Sequence, residues 1–271
     1  MKSACLPKPE AVSEAATYPG RRWRSGIESD VEDAVAEEVP VALVYNGISH
    51  VVMLATPLDL EEFALGFSLS EGVVDAAREV RDIEVRAAGP GIEVSLDIAP
   101  ERFLALKARR RNLAGRTGCG LCGTESLEQV LRPLPKLSSP ADIAPAAIHA
   151  AFDALPRHQH LHTLTGAVHA AAWARPDGEL EAVREDVGRH NALDKLIGAL
   201  AGKRADFGEG FVILTSRASC EMVQKAATVG MPMIAAISAP TGLAIRLARE
   251  AGMTLVGFAR GGSHVVYAGP A

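Results

Sequence analysis

The sequence predicts an α/β protein built from two unequal parts, and three observations carry that prediction. Between Phe211 and Phe258, short apolar runs alternate with amphipathic stretches in a β-α-β-α-β rhythm. The first half reads differently, as a hairpin, a helix and further strands. Between them, Leu137-Ser138-Ser139-Pro140 opens a Pro- and Ala-rich break. The expected organisation is a tail over residues 1–25, an α+β part over 26–137 and a larger α/β part over 138–271.

The tail is assigned because residues 1–25 are rich in Pro, Ala, Ser, Glu and Arg and show no periodicity. Val41–Tyr45 and Ser49–Leu54 are β-like runs joined by Asn46-Gly47, a strong hairpin signal. Thr56-Pro57-Leu58-Asp59 reads as a helix start, with Thr as N-cap and Pro in the first turn. Leu60, Phe63, Ala64 and Phe67 share one face, and Gly72 ends the segment. Strands are expected around 83–86 and 92–98.

After the break, residues 160–164, 167–173 and 180–183 look like strands. Leu193, Leu196, Ile197 and Leu200 mark a helix ended by Gly202. An apolar strand follows at Phe211–Thr215, then a helix capped by Ser219 and stopped by Gly230. Met233–Ile237 is the next strand, Thr241–Ala251 a helix, and Thr254–Phe258 a third strand. Such alternation implies parallel strands and right-handed crossovers.

Composition narrows the function classes. The chain has 271 residues, 48% hydrophobic, with a net charge of −5. That balance disfavours a general nucleic-acid surface. Arg21-Arg22-Trp23-Arg24 is read as a solvated basic island, and Lys107–Arg116 as a second island suited to an anion or an acidic partner. Four cysteines in an ordinary composition point to a reducing compartment, so the expected location is cytoplasmic. No apolar leader core or long uncharged apolar run occurs, which disfavours secretion and membrane spanning.

The most reactive stretch is Gly115-Arg116-Thr117-Gly118-Cys119-Gly120-Leu121-Cys122-Gly123-Thr124. Its glycines permit positive φ and close approach. The basic run upstream, and the helix start expected at Thr124-Glu125, both favour thiolate over thiol at Cys119 and Cys122. Two other chemistries use a C-x-x-C pair. A structural zinc needs four ligands, and no second C-x-x-C exists, although His158, His160 and His162 would share a face if they lay on a strand. A dithiol/disulfide exchange centre sits between a strand and a helix, and no strand is evident before Cys119.

In a parallel sheet the ligand crevice lies outside the carboxyl ends of the strands. Here those ends are Thr215–Ser219, Ser238–Gly242 and Phe258–Ser263. All are small, hydroxyl-bearing or glycine-rich, and Arg217 and Arg260 add positive charge. Any one alone reads as an ordinary capped loop. Three on one rim favour an anionic, phosphate-bearing ligand.

Gly115–Gly123, Arg184–Lys195, Ser219–Ala226 and Ser238–Thr241 together resemble the formate dehydrogenase accessory sulfurtransferase family, over about Val39 to the C-terminus. The resemblance implies a cytidine-deaminase-like three-layer C-terminal domain beside a smaller α+β domain, and usually a homodimer. It implies a cytoplasmic carrier that takes sulfur from a cysteine desulfurase as a Cys119 persulfide. The sulfur passes to the bis-molybdopterin guanine dinucleotide molybdenum cofactor, bound as substrate, before insertion into formate dehydrogenase. By motif position, Phe258, Ala259, Arg260, Gly261, Gly262 and Ser263 correspond to the cofactor-binding stretch, with Arg217 and Thr241 on the same rim. No structural metal, nucleic acid or membrane is expected. Ser216 before Arg217, and His264-Val265-Val266-Tyr267, depart from the family pattern.

A deaminase-like fold raises a second chemistry, zinc-dependent hydrolysis at a nucleobase. That needs H-x-E followed later by P-C-x-x-C. None of the eight histidines has Glu two residues on, and the C-x-x-C follows Gly118. The residues disfavour deamination. The charged run Asp186, Arg189, His190, Asp194 and Lys195 is open to two roles, buried structural pairs or a lining for the crevice. Cys220, at a helix start, reads as a packed residue.

Overall fold

The computed structural model describes residues 13–114, 132–137 and 143–269. The first element is a two-stranded ribbon, β1 (Ala15–Arg24) and β2 (Ile27–Ala36), turned at Ser25-Gly26 with φ of 50° and 83°. Residues 15–24 are therefore strand and not tail. Almost every ribbon side chain is exposed, so no buried face imposes an apolar period. Only the Ser-Gly turn signals it.

A four-stranded sheet follows in the order β4-β3-β6-β5, formed by β3 (Val39–Tyr45), β4 (Ile48–Ala55), β5 (Val80–Ala88) and β6 (Gly91–Ile98). The β3–β4 turn has positive φ at both Asn46 and Gly47, the backbone a two-residue hairpin needs. Helix α1 (Leu60–Ser70) covers this sheet with Phe63, Ala64 and Phe67. It starts later than the sequence suggests. Asp59 precedes it in the left-handed region, and Thr56 is drawn away to partners about 130 residues on. Its N–H donates to Asp186 Oδ2 at 3.0 Å, and its hydroxyl accepts from the Val187 N–H at 3.2 Å. Helix α2 (Pro100–Ala114), absent from the sequence reading, is held at its start by Arg102, whose guanidinium pairs with Glu79 and Asp75.

The remaining chain forms α3 (Pro145–Ala154), a 3-10 turn (Leu155–His158), α4 (His160–Thr165), β7 (His169–Ala174), β8 (Leu180–Asp186), α5 (Arg189–Gly202), β9 (Phe211–Leu214), α6 (Cys220–Thr228), β10 (Met233–Ala236), α7 (Gly242–Ala251), β11 (Thr254–Arg260) and β12 (Ser263–Ala268). Residues 160–164 are thus helical. Leu161 and Leu164 stand three apart, a helical spacing that a short run does not separate from a strand. His158, His160 and His162 consequently do not share a strand face.

Six strands order as β12-β11-β10-β9-β7-β8. As the alternation predicts, β9, β10 and β11 are parallel. Alternate residues of each central strand enter different cores. Val212, Leu214, Ile234, Ala236 and Leu255 face α5, α6 and α7, while Phe211, Ile213, Met233, Ala235 and Val256 face α3. The result is three layers, helix on sheet on helix.

The two sheets meet through α1 and α5. Gly66 and Gly198 mark the crossing: a Cβ on Gly66 would fall on the carbonyl of Asp194, and one on Gly198 on that of Glu62. Only glycine lets the backbones approach this closely. One continuous apolar core runs from Val39 to Ala268, across the position of the sequence break.

Candidate functional site

Parallel β9, β10 and β11 place their carboxyl ends on one edge, and the loops there are hydrogen-bonded to one another. Thr241 N–H donates to the Ala218 carbonyl at 3.1 Å, and Phe258 N–H to that of Ser238 at 3.2 Å. Ala218 and Pro240 form a further parallel bridge. Because β7 runs antiparallel to β9, and β8 to β7, His169 and Asp186 reach the same edge. Helices α5, α6 and α7 all begin there. Neither Gly188 nor Ser219 caps its helix with a side chain, whereas Thr241 accepts from Ala244 N–H at 3.2 Å. The starts of α5 and α6, which carry no side-chain cap, suit an anion.

The side chains on this rim are mostly cationic or neutral donors. Arg217 and Arg260 are exposed. Among the described residues, the buried Nε of Arg189 has no hydrogen-bond partner. His190 lies 3.4 Å from Glu221, which also accepts from Ser219 Oγ at 2.8 Å. Burial, reinforced by the charge of Arg189, pulls His190 and His169 below the usual histidine value. Both are therefore neutral at pH 7. The last loop is shaped by backbone geometry: Phe258, Gly261 and Gly262 have φ of 54°, 58° and 73°. Phe258 is partly exposed at the rim, and Ser263 and the glycines lie open. Ala259 is buried against α3, so it offers a ligand only its backbone.

Beneath the rim lies a buried ion network that the sequence only half shows. Lys195 Nζ meets Asp186 at 2.7 Å and donates to the Thr56 carbonyl at 3.0 Å, with both ionic side chains fully buried. Lys225 Nζ contacts Asp194 and Glu71, each at 2.8 Å, and donates to Ser70 Oγ at 3.0 Å. Burial opposes its charge, but two carboxylates raise the Lys225 pKa. Asp186, Asp194 and Lys195 are structural pairs, while Arg189 and His190 remain at the rim. Lys225, Glu71 and Ser70 escaped the sequence reading because 124–155 residues separate Ser70 from its partners.

Arg132, the first described residue after 114, is tied into this network. Its guanidinium reaches Glu71 at 3.2 Å and its N–H donates to Gln224 Oε1 at 3.1 Å. Gln224 lies on α6, whose first residue sits at the rim, about 6 Å away along the axis. Cys119 and Cys122, with the expected helix start at Thr124, fall outside the described residues. Cys220 is a free, partly buried thiol whose pKa burial and Glu221 both raise, which makes it a poor thiolate at neutral pH. Among the described residues no group of three or more His, Cys, Asp and Glu is arranged to hold a metal. A cavity of about 1020 Å³ lies at the far ends of α1, α5 and α6, and its lining includes none of the rim or ion-network residues named above. No helix is long and apolar enough to cross a membrane.

The fold and rim define a mixed α/β protein with a cationic, glycine-lined edge at the ends of parallel strands. The chain belongs to the FdhD/NarQ family, whose model matches residues 36–271. The sulfur carrier protein FdhD of Cupriavidus necator is 58% identical, over 98% of this chain and 96% of that one. The protein of that name from Xanthomonas euvesicatoria is 57% identical, over 92% and 89%. A crystal structure described as a formate dehydrogenase accessory protein from Desulfotalea psychrophila matches with a TM-score of 0.77. It is 26% identical, over 95% of this chain and 98% of that one.

Proposed function

We propose that this protein is a sulfur carrier in formate dehydrogenase maturation. Cys119 takes sulfur from a cysteine desulfurase as a persulfide. It delivers that sulfur to the bis-molybdopterin guanine dinucleotide cofactor, bound as substrate at the rim, before the cofactor enters formate dehydrogenase. The observation that carries the reading is the attachment of Arg132 to Gln224 and Glu71, beside a rim that fits an anion. Cys122 stands ten positions before Arg132 and Cys119 thirteen, and an extended chain spans at most about 3.5 Å per residue. By covalent geometry alone, Cys122 is thus tethered within roughly 35 Å of the α6 anchor and Cys119 within roughly 45 Å. The buried Nε of Arg189, without a partner among the described residues, the starts of α5 and α6, which carry no side-chain cap, and Arg217 and Arg260 all suit the cofactor's phosphates.

Loading is atom-balanced without a redox partner. A Cys119 thiolate attacks the terminal sulfur of the donor's persulfide, a new S–S bond forms as the old one breaks, and the donor cysteine leaves as thiolate.

Intact-mass measurement after incubation with a desulfurase and cysteine tests the first step. One added sulfur, removable by reductant and absent in Cys119→Ala, is expected. Full loading of Cys119→Ala would overturn the persulfide assignment. Calorimetry with GDP, a fragment of the cofactor, tests the second. Arg260→Ala should weaken GDP by roughly 1.5–3 kcal/mol, the scale of a hydrogen bond to a charged group, and leave sulfur loading intact. Unchanged GDP affinity would remove Arg260 from the site.

A further inference from the structure

His149 and His264 stand apart from both the buried ion network and the sulfur chemistry. His149 lies on α3, and His264 is the second residue of β12, directly after the loop Phe258–Ser263. The fold brings them together from 115 positions apart, with His264 Nδ1 3.1 Å from His149 Nε2. The ring centroids are 5.1 Å apart and the planes inclined by 44°, so the rings meet through their nitrogens instead of stacking. Both side chains are half-buried, which leaves the pair reachable from solvent.

Two imidazoles can face each other at this distance only if one nitrogen carries a hydrogen and the other a lone pair. Among the described residues neither ring forms an ion pair with a carboxylate, so nothing beside them offsets a positive charge. Burial, and then the neighbouring His149, hold His264 below the usual histidine value. The neutral ring that results at pH 7 is the form that ligates metals.

The spacing of the two nitrogens suits a shared cation. Zinc–imidazole bonds are about 2.0–2.1 Å long, so two such ligands stand about 3.3–3.4 Å apart at a tetrahedral angle and about 2.9 Å apart at a right angle. The observed 3.1 Å lies between these values. No proton need leave the pair on binding. The donor ring moves its hydrogen to its other nitrogen, and both lone pairs then face inwards.

We propose that His149 Nε2 and His264 Nδ1 form a binding site for a divalent transition-metal ion of the zinc class, with water in the remaining positions. No third His, Cys, Asp or Glu joins them among the described residues, so the site is open and its ion exchangeable, unlike a four-ligand structural zinc. Imidazole selects zinc, copper or nickel over magnesium and calcium. The cation would clamp the start of β12, where the chain leaves the rim loop, to the outer helix α3. The site goes beyond the sulfur-carrier reading and does not depend on it.

Zinc calorimetry tests it on the full chain carrying Cys119→Ser and Cys122→Ser, which removes the competing thiols. One zinc per chain should bind, and magnesium should not. His149→Gln and His264→Gln, on separate elements, should each weaken zinc at least tenfold, since an amide keeps a hydrogen bond but is a poor zinc ligand. His160→Gln, an exposed histidine on α4, should bind like the parent. Zinc should raise the melting temperature of the parent and of neither pair variant, and imidazole nitrogen NMR should place it on Nδ1 of His264 and Nε2 of His149. Absence of saturable zinc binding, or binding unchanged by His264→Gln, would overturn the proposal. So would loss of binding in His160→Gln, which would mark adventitious surface uptake.

Discussion

Lys225 shows how much of this protein rests on single buried charges. Its ammonium is enclosed by Asp194, Glu71, Ser70 and the ring of Phe67. Removing one member of a buried pair strands the other, which costs about 3–5 kcal/mol, whereas replacing both with apolar side chains is far less damaging. Lys225→Met should therefore lower the denaturation midpoint sharply. Lys225→Met combined with Asp194→Leu should recover part of the loss, by the double-mutant cycle in urea. Glu71 belongs to the same network, and here pH is the probe. Burial alone would raise its pKa, but Lys225 and Arg132 bring it below the usual glutamate value. A carboxylate depressed on folding contributes stability above its unfolded pKa of about 4.3, and that contribution is lost as pH falls through the folded value. Melting temperature should fall more steeply with acid, below about pH 4, in the parent than in Glu71→Gln.

At the scale of elements, the α1–α5 crossing holds the two sheets in one unit. Gly198→Ala leaves no room for the added methyl against the Glu62 carbonyl, so the helices must separate. Its cost should be about 3 kcal/mol, at the upper end for overpacking, although alanine is the better helix former. Denaturant unfolding of Gly198→Ala against Gly202→Ala checks this, because a Cβ on Gly202 meets nothing and should be tolerated. A cost at Gly202 equal to that at Gly198 would refute the packing argument. Elements were legible in the sequence in proportion to how one-sided their burial is. Strands β9 to β11 and helices α5 to α7 were found to within a few residues. Strand β1, exposed on both faces, falls within the residues expected as tail, and α4 reads as strand from a run too short to show its period.

The whole molecule should unfold as one. Thr56, Asp186 and Lys195 join the segment before α1 to the end of β8, and Arg184 of β8 pairs with Glu62 and Asp59 at the start of α1. With a shared core beneath these contacts, calorimetry should record a single transition whose van't Hoff and calorimetric enthalpies agree. Two separated transitions would show that the sheets fold independently.

The sequence by itself determined the alternation of strands and helices, the parallel sheet and therefore the edge at which Arg217, Thr241 and Phe258–Ser263 gather. It also determined the reactive character expected of the C-x-x-C, because glycine, charge and sulfur spacing are local properties. Tertiary structure alone decided which charges are buried. Asp194 and Lys195 are neighbours in the chain, yet one pairs with Lys225 and the other with Asp186. It also decided that Thr56 serves the far end of β8 instead of its own helix, and that Arg132 is fixed to α6. The last two contacts span more than 90 residues of chain, and periodicity reports which face of an element is covered but not what covers it.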